Sequence, residues 1–421
     1  MLDIKFIRQN PEIVKQGCQK KQVKVDIDRV LEVDKKRRET MTALEDMLAQ
    51  KNKASKVIAG TKDETEKRKI ILEMRELDTN SDRLNTNLKE TEKEFNDLVL
   101  QIPNLPFDDV PVGKDEKDNI VLRKIGKIPE FNFKPKDYLQ ICENLDIIDV
   151  KRAAKIAGSR FSFLKREAVL IEFALINLAM ENLSKEKFIP VIPPVMLKEE
   201  MARGTGYFEA ADKEEAYFIP EDNRYLAGTS EQPLIAMHSD EIFEEKDLPR
   251  RYVGFSTCFR REAGSYGKDT KGILRVHQFN KVEMVSFSKP EDSKKEHQFL
   301  LQMEEKLMKS LKIRYQVVQI CTGDLGMPAA AKYDIEAWLP SENRYRETHS
   351  TSNCTDFQAR RLNIRYREKN GNLKFVHTLN GTVFSQRPIL VIIENYQQKD
   401  GNVKLPAVLQ KYLGFKEIKR N

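Results

Sequence analysis

Cysteine, glycine, proline and tryptophan are all scarce in this chain. It has only 5 cysteines in 421 residues. They stand at Cys18, Cys142, Cys258, Cys321 and Cys354, odd in number and never in a CxxC pair. That excludes a disulfide framework or a cysteine-based zinc knuckle as the organising device. Glycine (18) and proline (17) are too few for a fibrous or disordered chain. The one tryptophan, Trp338, reads as core. No uninterrupted apolar run approaches the roughly 20 residues of a spanning helix, which excludes a membrane protein. The N-terminal stretch MLDIKFIRQNPEIVKQG carries charges throughout and lacks the apolar centre of a signal peptide. A reducing, cytoplasmic setting is the expectation. A strong charge of one sign is also missing: 73 basic against 66 acidic side chains leaves +7. That balance permits a polyanionic partner without requiring one.

What is abundant is charge and helix-forming sequence. Charged residues make up 33% and hydrophobic ones 40%, enough for a substantial core, and the length suits two structural units. From Asp28 to Leu100 there is no proline, only Gly60 as glycine, and long runs of good helix formers. Steps of four and three residues pick out Ile70, Met74, Leu77, Ser81, Leu84, Leu88, Thr91, Phe95 and Leu98. Seven of these nine are apolar, a heptad seam. Val30, Met41, Leu44 and Leu48 continue the spacing in the first half, where Asp34 and Arg37 interrupt it. Ala59–Asp63 is a turn signal, with Gly60 placed to end a helix.

This pattern predicts an antiparallel helical hairpin (a coiled coil) with arms about 50 Å long at 1.5 Å per residue. Around its tip, Lys51, Lys53, Lys56 and Lys62 occur with no acid between Met47 and Lys62. Such a tip can meet phosphates, or it can be a solvated surface; charge alone leaves both open. Residues 101–119, with three prolines and no period, read as a linker. Beyond them, a helical stretch (Arg166–Leu183) mixes with β-rich segments at Lys187–Pro194, Tyr252–Phe255, Lys281–Ser288 and Tyr315–Ile320. There is no regular βαβ alternation, no GxGxxG and no P-loop, so a mostly antiparallel sheet with flanking helices is expected, an α+β fold.

The densest chemistry lies between Cys258 and Glu283, read as a strand, a glycine-rich loop and a returning strand. On an extended strand Arg260 and Glu262 share a face. Arg260 with the loop cations Lys268, Lys271 and Arg275 suits a phosphate. Phe279 can stack on a base, and Glu283 follows on the same face. An ordinary charged hairpin has the same composition.

This segment resembles motif 2 of the class II aminoacyl-tRNA synthetases, in the form found in the seryl-tRNA synthetase family. The resemblance extends in order through MLDIKFIRQNPE, residues 101–119, LAGTSEQPL (226–234), CTGDLGMPAAAKYDIEAWLP (321–340), residues 344–367 and NGTVFSQRPILVIIENYQ (380–397). It implies an N-terminal tRNA-binding domain over residues 1–100 and a class II catalytic domain over 120–421. The implied reaction is activation of L-serine with ATP, then transfer to tRNA(Ser), with tRNA(Sec) as a further candidate acceptor. Arg260, Glu347 and Arg387 are the implied catalytic residues. Thr229, Ser230, Glu231, Glu283 and Thr382 would bind serine. Arg260, Arg261, Glu262, Val276, His277, Gln278, Phe279, Glu347, Thr348, His349, Ser350 and Arg387 would bind ATP. Glu347 and Ser350 match the family's Mg2+ ligands, as a carboxylate and a hydroxyl suit a hard cation.

Lys187–Pro194 resembles motif 1, which implies a homodimer. The cysteines do not match the zinc-dependent, archaeal-type variant, so no zinc is expected. One departure stands out. Thr382 precedes Arg387 by five residues where relatives usually have six, and position 381 is glycine. Two other readings share parts of the pattern: an amino acid:carrier-protein ligase, and an inactive RNA-binding paralogue. The helical arm argues against the first and the retained charged residues against the second.

Overall fold

The computed structural model describes residues 1–207, 215–263 and 272–420. The chain divides into two compact units. One contains Leu2–Gln19 and Val23–Pro103, the other Met1, Lys20–Gln22 and Asn104–Asn421.

In the smaller unit, helices α1 (Ile27–Gly60) and α2 (Glu64–Leu100) are joined by three residues. Each opens on an aspartate cap: Asp26 accepts from the Arg29 N–H, and Asp63 from those of Thr65 and Glu66. The ion pairs Arg29–Glu94, Arg37–Glu92 and Lys51–Asp78 rise along one helix as they fall along the other, so the pair is antiparallel. All nine seam positions of α2 are buried or half-buried. On α1 the seam differs from the expectation. Leu48 is 59% exposed, and the covered stripe runs through Met47, Lys51, Ala54 and Ile58 instead. Lys51 serves there because its aliphatic stem covers the seam while its ammonium reaches Asp78 at 2.6 Å. The interruption at Asp34 also has a cause: this buried carboxylate is held by Arg8, Arg37 and Arg38 at 3.2, 3.7 and 3.1 Å.

The larger unit is built on an eight-stranded sheet. Its strands are β1 (Ile120–Ile125), β2 (Ile189–Val191), β3 (Arg250–Phe259), β4 (Gln278–Ser288), β5 (Tyr315–Gln319), β6 (Ala331–Leu339), β7 (Arg344–Asn353) and β8 (His377–Phe384). They lie in the order β1-β5-β6-β7-β8-β4-β3-β2, and only β2 and β3 run parallel. Helices α3 (Glu167–Lys185), α5 (Ser293–Ser310) and α6 (Arg387–Asn395) contribute to one large core, with the short α4 (Glu231–Ala236) elsewhere. Val282, Met284, Ile335 and Leu379 from the strands meet Ile171, Leu175, Ile389 and Ile392 from the helices there. Alternation along β4 then turns Phe279, Lys281 and Glu283 to the opposite, polar face. Residues from Asn104 onward, within the expected linker, pack into this unit. The Asn104 side chain donates to the carbonyls of Pro328 and Cys354, and Val110 joins a small core with Val318 and Ile320. Among the described residues, no helix is long and apolar enough to cross a membrane.

Candidate active site

A cavity of about 630 Å³ opens on the polar face of the sheet. Strand β3 ends at Phe259, and Arg260 is fixed just beyond it by mutual contacts with His277. Its N–H donates to the His277 carbonyl, and its own carbonyl meets the ring Nδ1, each at 3.0 Å. The Arg260 guanidinium donates to the Gly228 carbonyl at 3.0 Å and lies 5.3 Å from the centre of the Phe279 ring. Glu262 also lines the cavity, but not by strand alternation as expected. Its φ of +52° breaks the extended run, and Arg275 Nη1 comes to 3.4 Å from its carboxylate. Lys268 and Lys271 lie outside the described residues.

The acidic end forms where α4 begins. Glu231 is 2% exposed, with Tyr207 donating to one carboxylate oxygen at 2.7 Å and Gln358 to the other at 2.8 Å. Burial, helped by the charge of Glu283, pushes its carboxyl up to about 7 despite those donors. Glu283, 1% exposed, is raised by burial too, while Lys281 and Arg260 oppose the shift. Thr382 stands opposite Glu283, and its hydroxyl favours the ionised carboxylate. The strand register shifts between Thr382 and Arg387. Strand β8 carries an extra residue, Val383, against Val282 and Glu283, and this bulge seats Thr382 on the cavity face.

A second bulge shapes the other wall. Glu347 pairs with Glu336 and His349 with Ile335, leaving Thr348 as the extra residue of β7. Without it Glu347 and Ser350, three apart, would face opposite sides; with it both line the cavity. Desolvation disfavours the Glu347 carboxylate, but Arg387, Lys332 and Arg260 outweigh it and hold its carboxyl well below the ordinary carboxylate range. Its neighbour Asp334 is pushed up by burial, against the pull of Lys332 at 3.6 Å.

Of the residues named from sequence, Arg260, Glu262, Val276, Phe279, Glu347, Thr348, Ser350, Arg387, Thr229, Glu231, Glu283 and Thr382 line this one cavity. Ser230, Arg261, His277, Gln278 and His349 do not. Ser230 Oγ is turned to Ser256 Oγ at 2.7 Å, Arg261 lies against Tyr217, and the His277 ring is held by Arg260 and Phe161. Gln278 points away from Phe279 on the strand, and His349 is buried beside Thr348, its ring kept neutral down to about 4 by burial. Lys281, Lys332, Tyr207 and Gln358 were not foreseen. Strand alternation marks Lys281, since it lies between Phe279 and Glu283. Tyr207 and Gln358 come from distant segments and carry no local signal.

Sheet order and cavity together define the class. Residues 216–396 match the family of class II tRNA synthetase core domains (G, H, P, S and T), and residues 1–106 the seryl-tRNA synthetase N-terminal domain. A serine–tRNA ligase of Dictyoglomus turgidum is 43% identical over 100% of this chain and 99% of its own. The crystal structure of seryl-tRNA synthetase from Pyrococcus horikoshii complexed with ATP superposes with a TM-score of 0.90 at 40% identity, covering 100% of both chains. That of the cytoplasmic enzyme from Naegleria fowleri in complex with AMP gives 0.86 at 34% identity, over 100% of this chain and 99% of that one. The chain belongs to the seryl-tRNA synthetase family.

Proposed function

We propose that this chain activates L-serine with ATP and transfers it to the 3′ end of tRNA(Ser), with tRNA(Sec) a second candidate acceptor. The observation that carries this reading is a single cavity with arginines and an aromatic ring at one end and buried acids and hydroxyls at the other. In the first step a serine carboxylate oxygen attacks the α-phosphorus and pyrophosphate leaves. In the second, a hydroxyl of the terminal adenosine attacks the acyl carbon and AMP leaves. Neither step needs a covalent bond to the protein, so positioning and charge do the work.

Phe279 supplies a face for adenine, and Arg387 covers the other face while its charge serves the phosphates. Arg260 takes the α-phosphate. Glu231 takes the serine ammonium, while Glu283 and Thr382 take the hydroxyl. A pocket with buried acceptors for a hydroxyl rejects alanine, because the analogue leaves them unpaired. Glu347 and Ser350 fit magnesium: both are oxygen donors on one face, and the carboxylate is held ionised. When bound, magnesium supplies charge neutralisation at the phosphates.

The helical arm of residues 1–100 is read as the tRNA-gripping part of a cytoplasmic homodimer, one subunit's arm serving its partner's site. The test is serylation of tRNA(Ser) transcripts by the full chain and by a chain lacking residues 30–98. The full chain should charge a transcript, and the deletion should lose charging while keeping adenylate formation. Charging that survives the deletion would remove the arm from the account.

A further inference from the structure

Lys281 lies on the cavity face of β4 between Phe279 and Glu283, with 11% of its side chain exposed. Its Nζ stands 2.8 Å from Glu283 Oε2 and donates to Thr229 Oγ1 at 3.2 Å. One ammonium therefore touches two of the residues proposed for serine. A threonine hydroxyl has one proton and two lone pairs. Thr229 Oγ1 already accepts from Lys281 and from the Glu231 backbone N–H at 3.3 Å. With both lone pairs engaged, Thr229 can face the cavity only as a donor.

We infer that Lys281 is a positioning residue that sets the hydrogen-bond polarity of the amino-acid end, making Thr229 a donor and Glu283 an acceptor. Thr229 then serves a carboxyl oxygen of the amino acid, Glu283 accepts from its side-chain hydroxyl, and the ammonium falls to Glu231. This role rests on the serine-activating reading above and assigns polarity within it. The groups facing Glu283 explain why a fixed cation is needed. Tyr207, Glu231 on α4, Cys258 on β3 and Glu304 on α5 surround it, and among the described residues Lys281 and Arg260 bring positive charge. Glu304 is fully buried, with neither carboxylate oxygen hydrogen-bonded. Without Lys281, burial and the neighbouring carboxylates favour the protonated form of Glu283, which accepts more weakly than the carboxylate, an effect that fades as pH rises.

The test is serine-dependent ATP–pyrophosphate exchange from about pH 6 to about pH 9 with Lys281→Met and Lys281→Gln. Lys281→Met should raise the KM for serine about tenfold or more near neutral pH, and that loss should shrink several-fold toward the alkaline end. The KM for ATP should stay within about twofold. Lys281→Gln keeps a donor for Thr229 without charge, so it should retain the same pH dependence with a smaller loss. In a Glu283→Gln background, removing Lys281 should add little, because the two residues act as one unit. A loss independent of pH and equal for serine and ATP, or full additivity with Glu283→Gln, would overturn the role. Absence of serine-dependent exchange in the unsubstituted chain would instead overturn the functional reading on which it rests.

Discussion

Arg387 Nη1 lies 3.1 Å from both the carboxylate and the backbone carbonyl of Glu347, tying the first residue of α6 to the bulge of β7. The contact joins the two halves of the proposed nucleotide end. Arg387 pulls the Glu347 carboxyl down, and Glu347 holds the guanidinium over the cavity. Arg387→Ala should therefore lower exchange by roughly 10²–10³-fold, the usual cost of removing a preorganised charge from such a site. Initial rates at saturating serine check this, and a loss below about fivefold would place Arg387 outside the chemistry.

Glu283 is buried and reaches the cavity beside Thr382. Glu283→Ala should raise the KM for serine by about 100-fold or more while the KM for ATP moves about threefold at most. Separate titrations of the two substrates make the comparison. Equal losses for both would remove Glu283 from the amino-acid end.

Glu231 carries a pH-dependent cost. Its carboxyl sits at about 7 in the fold against 4.5 when free. A carboxyl raised on folding leaves stability untouched below the free value and lowers it as pH rises through about 4.5 to 7. A shift of that size corresponds to about 3 kcal/mol at alkaline pH. Glu231→Gln, whose amide can donate to a rotated Tyr207 hydroxyl, should melt higher than the unsubstituted chain at about pH 8, match it near about pH 4.5, and lose exchange. Calorimetric melts at the two pH values decide; a lower Tm at both would show that the carboxylate stabilises the fold.

Asp34 anchors the base of the arm through Arg8, Arg37 and Arg38. Removing it leaves three part-exposed arginines without their shared acceptor. Asp34→Ala should cost about 1–2 kcal/mol in the helical unit, less than for a fully buried pair because the arginines reach solvent. Hydrogen exchange of α1 and α2 amides is the measurement, and unchanged protection near Val33 and Phe95 would contradict it.

Much of this arrangement was legible because it follows short periods. The seam from Ile70 to Leu98 sets the α2 face, and the alternation Phe279–Glu283 sets one wall of the cavity. What escaped depends on departures from period. The positive φ at Glu262, the extra residue Thr348 that brings Ser350 beside Glu347, and Val383 seating Thr382 opposite Glu283 are bulges and turns that no local pattern announces. Leu48 lies off the covered stripe of α1, which passes instead through Lys51, whose polarity hides its apolar stem. Tyr207 and Gln358 meet Glu231 only through tertiary packing.

The most direct measurement is ATP–pyrophosphate exchange by the purified chain across the common amino acids. Label should enter ATP with L-serine and stay near background with L-alanine, which fits the same space but lacks the hydroxyl and leaves Glu283 and Thr382 without a partner. Exchange that ignores serine, or that treats the two amino acids alike, would contradict a site built to read a hydroxyl.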